Sequence, residues 1–543
     1  MKHIFGHIVD IDNQRIFDAE IQIEDGRIVK VSPSQEPLND DVPYILPGFV
    51  DAHIHIESTL LVPHHFAPVA LSHGTVAVVA DPHEIANVLG EQGFDFMLHD
   101  AAKVPFGFHF CVPSCVPSTP FETAGASVDS ALVAKMLRRP SVVGLAEMMN
   151  VPGVLMGDPE VMAKLAAAQS LRKPIDGHAP MLSGSDLEKY ISAGISTDHE
   201  CSTLAEAEEK IAKGMLVLIR EGSAACNFKD LSPLLAKYPD KLMFCTDDIY
   251  PDELIKGHID LLVRRAVAKG LPLWNVLRAA CLTPVRHYGL HSGLLHEGDS
   301  ADFICVGDLH DFSVLSTYIR GEEVYSCRNS QKNIQSAVHD VDAVQPNQFR
   351  AEPLSLEQLR VPVQGEKMRV ITATDGQLLT GCMMASSHPD PADDVLKLVV
   401  YNRYQPADPQ IAFIHGFGLT RGAFATTIAH DCHNIIAVGC DDQSLLSVIN
   451  QLVESRGGIA ATDGEQVCSL PLPVAGLMSD KPSSEVAAQL ILLKRLVRDL
   501  GCTMSAPFMT LSFMALPVIP QLKLTDKGLF DGIRFAFTSL FEN

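Results

Sequence analysis

Eight times between residues 47 and 248 a short apolar run ends abruptly in polar side chains. The eight are "PGFVDAHIH", "TVAVVADPHE", "FGFHFCVPSC", "SVVGLAEMMN", "KPIDGHAP", "GISTDHE", "GMLVLIREGS" and "KLMFCTDD". Short apolar runs bounded by turn signals read as strands buried on both faces. Helix-like segments such as "ALVAKMLRR", "PEVMAKLAAAQSL" and "TLAEAEEKIAKG" stand between them, and the runs recur roughly every 20 to 35 residues. Alternation of this kind builds parallel βα units, and eight units predict an α/β architecture with a closed (β/α)₈, TIM-like barrel over residues 46–290.

Two β-rich stretches flank that core. Residues 1–45 alternate with period two through "HIFGHIVD" and "IFDAEIQIEDGRIVKVSP", with "EDGR" as a hairpin turn. Residues 291–330 carry "GLLHEGDSADFICVGD" and "FSVLSTYIRGEEVYS". Segments on either side of an inserted unit can meet in space, so the two are expected to form one small β-sandwich domain. The polar stretch "SQKNIQSAVHDVDAVQPNQ" reads as a linker. Beyond it, strands ("LKLVVYNRY", "NIIAVGC") mix with helices ("SLLSVINQLVESRGG", "SSEVAAQLILLKRLVRDLG"), which predicts an α+β domain over 331–543.

The formal charge of −24 argues against a nucleic-acid backbone or an anionic membrane as partner. The 13 cysteines are scattered without C-x-x-C clustering, as in a reduced, cytoplasmic protein. No window reads as a signal peptide or a membrane span.

The polar ends of the runs matter because a parallel sheet presents its chemistry at the carboxyl ends of its strands. There the chain places His53 and His55 (first run), Glu147 (fourth), His178 (fifth), His199 (sixth) and Asp247 (eighth). His53 and His55 share one face of an extended strand, because side chains alternate. Any one of these residues is more often a hydrogen-bonded structural group. Six on one rim are a different matter: four imidazoles and two carboxylates suit Mn²⁺, Fe²⁺ or Zn²⁺, and a bridging carboxylate would let them hold two ions. The second run ends in "DPHE", offering Asp81, His83 and Glu84; the competing reading is a helix cap, with Asp81 before Pro82.

"PGFVDAHIHIE", "GHAP", "DHE" and "TDD", in this order, resemble the amidohydrolase superfamily. "DPHEIANVLGEQG", "GLAEMMNVPGV", "IREGSAA" and "CTDD" are similar to its bacterial adenine deaminase branch, and "HDCHNIIAVG" extends the likeness past residue 430. The resemblance implies two divalent ions, Mn²⁺ or Fe²⁺ first and Zn²⁺ second. His53, His55 and Asp247 would hold one, His178 and His199 the other, and Glu147 would bridge. It implies a reaction in which a shared hydroxide attacks C6 of adenine to give hypoxanthine and ammonia. Attack at C6 calls for a proton at N1. Glu84, expected to stay protonated through burial, is assigned as that acid, with Asp247 as the base. Asp81, His83 and Glu84 are the candidate substrate contacts, and the expected assembly is a homo-oligomer, a dimer in the first instance.

Rival readings are another amidohydrolase, acting on a cyclic amide or a different base, and a non-catalytic barrel scaffold. The family pattern has arginine at two rim positions where this chain has Cys226 and Ile249. In the C-terminal region, "HGFGLTRG" lacks a dinucleotide-binding register, and a structural or lid role is expected for His430, Asp431 and His433.

Overall fold

The computed structural model describes residues 1–39, 41–223, 225–329 and 345–542. Most of the stretch read as a linker, 330–344, lies outside the described residues. All eight apolar runs are strands, and all their pairings are parallel. Phe49–Ile54, Thr75–Ala80, Gly107–Val112, Val142–Met148 and Ile175–Gly177 form one ladder in sequence order. Thr197–Asp198, Leu216–Arg220 and Leu242–Cys245 form a second. Phe49–Ile54, Thr75–Ala80 and Leu242–Cys245 are buried at every position, as strands covered on both faces must be.

Backbone hydrogen bonds link the two ladders at both sides. The Ser196 N–H donates to Ile175 O at 2.9 Å. At the other side, the Asp247 N–H donates to His53 O at 2.9 Å and the His55 N–H donates to Asp247 O at 3.2 Å. The last strand is thereby tied to the first at the residues that carry the chemistry. Gly177 marks the approach of the fifth strand to the sixth: a Cβ there would stand 2.4 Å from Thr197 O, so a larger residue would push the strands apart.

Residues from both flanking stretches share one seven-stranded mixed sheet, which includes Lys2–Asp10, Arg15–Glu24, Arg27–Pro33, Tyr44–Pro47 and Phe303–Val306. The "EDGR" hairpin has Asp25 and Gly26 both at positive φ (50° and 78°), the primed turn that matches strand twist. The C-terminal region contains an eight-stranded mixed sheet with the helices Asp442–Ser455 and Ser483–Asp499. One apolar cluster joins Ile54, Val78 and Phe110 of the parallel strands to Ile414, Phe424 and Met509 of the C-terminal region. The C-terminal region is thus packed on the strands that present the polar residues.

A buried ion pair braces the fifth and sixth strand ends. Lys210, with no exposed surface, donates from Nζ to Asp198 Oδ2 (3.0 Å), Glu206 Oε1 (2.9 Å) and Ala179 O (2.7 Å). Asp198 Oδ1 in turn accepts the Ala179 N–H at 2.9 Å, which holds the segment after His178 against the strand before His199. Lys210→Met is expected to leave Asp198 buried and unpaired and to destabilise the fold by about 3–5 kcal/mol in denaturant titration. A loss below about 1 kcal/mol, the worth of an exposed pair, would show that the bridge is not a brace.

Candidate active site

The six strand-end residues converge. Glu147, 3% exposed, is their centre: its Oε2 lies 2.7 Å from His178 Nδ1 and 3.3 Å from His199 Nε2, and its Oε1 lies 3.3 Å from His55 Nε2. Asp247 Oδ1 stands 3.0 Å from His55 Nε2 and 3.7 Å from His53 Nε2. Asp247 has φ +58°, a left-handed conformation that aspartate tolerates, at the turn out of the eighth strand. The His53 and His199 rings stack with centroids 4.2 Å apart. His55 Nδ1 is tied to Asp81 O at 2.9 Å, which turns Nε2 toward the two carboxylates.

The electrostatics follow from this crowding. Burial alone would push the Glu147 carboxyl up, but the imidazoles of His178, His199 and His55 outweigh it and hold it well below the usual carboxylate range. Burial likewise opposes ionisation of Asp247, and the Arg220 guanidinium overrides it, so that this carboxyl too is held low. His53 is pushed well below the usual imidazole value by burial, with His199 and His55 beside it. It is therefore neutral, and its buried Nε2 has no hydrogen-bond partner. A neutral imidazole with an unpaired lone pair, facing carboxylates held ionised, is the donor set that a divalent cation requires. The described residues supply such groups within 4.8 Å: His53, His199 and Asp247 in one, Glu147, His178 and His199 in another.

The "DPHE" residues divide their tasks. Asp81 stands one residue before Pro82, the cap position of the helix His83–Leu89; its Oδ1 accepts the His83 N–H at 3.1 Å, and its Oδ2 holds His83 Nδ1 at 2.9 Å. It stands behind His83, which lines the cleft together with Glu84. Glu84 is where the structure corrects an expectation. Burial does favour its neutral form, but His430, His433 and His83 surround it, and their charges hold its carboxyl well below the usual range. Glu84 Oε1 lies 2.5 Å from His430 Nδ1, and Oε2 is hydrogen-bonded to His433 Nε2. The neighbouring carboxylate outweighs burial at His430 and lifts it to about 9, whereas burial dominates at His433 and pushes it down to about 4. The ionised pair is thus Glu84 with His430, and His433 is a neutral donor. Of the three residues for which a structural or lid role was expected, His430 and Asp431 line the cleft and His433 bonds Glu84, with His430 stacked on Phe513 at 4.5 Å.

Three further residues line the cleft that the strand-end reasoning passed over: Glu200, Arg220 and Asp248. Arg220 Nη1 bonds both Glu200 and Asp247, and Ser58 Oγ donates to Asp248 Oδ1 at 2.5 Å. Each stands in a quoted run ("DHE", "IREGS", "TDD"), so the same rule could have found them. Of the two departures from the family pattern, Cys226 is exposed with Sγ on Gly222 O at 3.1 Å, and Ile249 is a buried core residue. Apolar side chains of Leu378, Met509, Phe513, Leu516 and Ile519, all C-terminal, complete the cleft wall. No helix among the described residues is long and apolar enough to cross a membrane.

Comparison with known proteins agrees with this geometry. Residues 44–324 match the amidohydrolase family, and residues 375–536 match the adenine deaminase C-terminal domain. An adenine deaminase of Salinibacter ruber is 50% identical over 99% of this chain and 98% of its own. Adenine deaminases of two archaea are similar as well. That of Methanosarcina acetivorans is 50% identical over 100% of both chains, and that of Methanothermobacter thermautotrophicus is 42% identical over 99% of this chain and 100% of its own. The kinship is therefore wider than bacterial, and the chain belongs to the adenine deaminase family of the amidohydrolases.

Proposed function

We propose that this protein hydrolyses adenine to hypoxanthine and ammonia. The observation that carries the reading is the convergence of four imidazoles and two carboxylates on one cleft, in a chain about half identical, along its whole length, to adenine deaminases. The two parallel ladders are read as one TIM-like (β/α)₈ barrel over 46–290. Residues 1–45 with 291–330 are read as a flanking β-sandwich, and 331–543 as a C-terminal α+β domain. We place the protein in the cytoplasm as a homodimer, with free adenine as substrate and neither nucleic acid nor membrane as partner.

His53, His55 and Asp247 would hold one divalent ion, His178 and His199 the other, with Glu147 between them; Mn²⁺ or Fe²⁺ is favoured and Zn²⁺ is the alternative. Bound ions there would polarise a water so that it attacks at neutral pH. The chain's own groups do the rest. Asp247 takes a proton from the attacking water and passes it to the departing amine, its second oxygen being oriented by Arg220. Glu84 delivers the proton that N1 of the purine needs. Because the imidazoles hold Glu84 ionised, that proton is shared with His430 across the 2.5 Å contact, and the second proton of the attacking water, released as C6 becomes a carbonyl, makes good the one given to N1, so the pair is unchanged after each turnover. The apolar wall from Leu378 to Ile519 excludes bulk water from the reacting edge.

Glu147→Ala is expected to lower occupancy at both ion positions, since its two oxygens serve both groups of imidazoles; elemental analysis showing two tightly held metals in that variant would remove Glu147 from the bridge. Adenine should be turned over faster than adenosine, and the opposite order in an ammonia-release assay would sink the substrate reading. Glu84→Gln should keep the metals yet lose about 10²–10⁴-fold in kcat, the usual worth of general acid–base catalysis. Full metal content with near-normal kcat would mean that Glu84 merely ties the C-terminal region to the cleft.

A further inference from the structure

Lys523 is a lysine with no exposed surface, in the strand Leu522–Thr525, and no carboxylate among the described residues is paired with it. An ammonium buried without a counter-ion is costly, and burial pushes this amine down to about 7. Its Nζ donates instead to two backbone carbonyls, Leu378 O at 3.0 Å and Phe513 O at 2.8 Å. Charged or neutral, the amine has N–H groups enough for both, so the tie holds on either side of neutral pH. Leu378 and Phe513 belong to separate segments, and both line the cleft as part of its apolar wall. An apolar side chain would fill the same space without the desolvation cost, but it could not hold two carbonyls together.

Where Phe513 sits bears on the chemistry. Its ring lies flat on that of His430, with centroids 4.5 Å apart and planes 14° from parallel. His430 Nδ1 is in turn 2.5 Å from Oε1 of Glu84, the carboxylate assigned to N1 of the purine. Direct contacts thus run from Lys523 through Phe513 to His430 and Glu84. We propose that Lys523 is a positioning residue for the deamination: by holding Phe513 O it keeps the aromatic ring on His430, and so keeps the Glu84–His430 pair in place against the bound base. The inference rests on that pair moving the N1 proton. His430 is faced by the carboxylates of Glu84, Asp248 and Asp431 and by the His433 ring, and none of these is bonded to Lys523. The Phe513 ring is the contact through which the lysine acts. An aromatic face against an imidazolium favours the charged form, so a displaced ring would let His430 give up its proton more readily.

The test measures kcat, KM and the pH dependence of kcat on adenine in the metal-loaded protein. Lys523→Met keeps an unbranched stem of nearly the same length and removes both donors. It is expected to lose about 10–10²-fold in kcat, with KM within about threefold of wild type and metal content unchanged. The alkaline limb of the kcat profile, which follows loss of the His430 proton, should move down by about half to one pH unit as the imidazolium loses the ring face. At that pH Lys523 is itself neutral, so the shift reads packing rather than a lost charge. Lys523→Gln, which keeps two N–H donors on a shorter stem, should recover part of kcat. Phe513→Leu should reproduce the loss, and the double variant with Lys523→Met should be about as slow as the slower single one, because both act through one ring. Losses that multiply in the double variant, a limb that stays or moves up, or near-normal kcat in Lys523→Met each overturn the inference. So does failure of both Lys523 variants to fold, which would make the lysine a stability residue. Wild-type protein without adenine turnover overturns the substrate reading and this inference with it, whereas wild-type turnover with an unshifted limb in Lys523→Met overturns this inference alone.

Discussion

One buried carboxylate organises the centre of this molecule. Glu147 sits at the end of the fourth strand, and both its oxygens face imidazoles from the first, fifth and sixth. A buried carboxylate without such partners would be expelled or protonated, and imidazoles so crowded would repel one another once charged. Each group therefore tolerates burial because the others are there. The fold has to bring four strand ends to within a few ångströms, and the parallel arrangement does so because every strand delivers its carboxyl end to the same face. The reciprocal backbone bonds between Asp247 and the His53–His55 segment fix the last strand in that register.

Beside this centre the chain has built a second polar group, joined to the first through His83, which stands 3.5 Å from Glu84 and 3.6 Å from Glu147. Glu84 is fastened to His430 and His433 across 349 residues of sequence, so the wall of the cleft and its floor come from different parts of the chain. The consequence is chemical. A carboxylic acid in an apolar pocket stays protonated, whereas the same acid among imidazoles becomes the ionised half of a shared-proton pair. The C-terminal region thus changes what Glu84 is, besides covering it. Its glycine-rich string has a simpler use: the N–H groups of Gly416 and Gly418 are both given to the Asp394 carboxylate at 2.7 Å, which leaves that loop no phosphate-cradling role.

Much of this was legible before any coordinates. The eight strands, their parallel sense and the polar character of their ends follow from local patterning, because a strand buried on both faces has few ways to be written and must finish where the apolar run stops. His53, His55, Glu147, His178, His199 and Asp247 could be named from that rule together with the family resemblance. Arg220 and Glu200 obeyed the same rule and were passed over, since an arginine or a second acid at a strand end carries no ligand signature by itself. The protonation state of Glu84 was misjudged for a physical reason: burial is readable from a sequence, but the charges that share the burial are not.

The sequence by itself therefore determined the alternation of strands and helices, the face on which the chemistry would collect, and the donor types suited to a divalent cation. These depend on periodicity and on side-chain chemistry within a few residues. Only the tertiary structure decided that His430, Asp431 and His433 close on the "DPHE" segment, that Asp81 holds His83, and that Arg220 orients Asp247. Those outcomes depend on which distant surfaces pack together. Hydrophobic burial sets that packing through the whole shape of the core, and no local pattern in the chain encodes it.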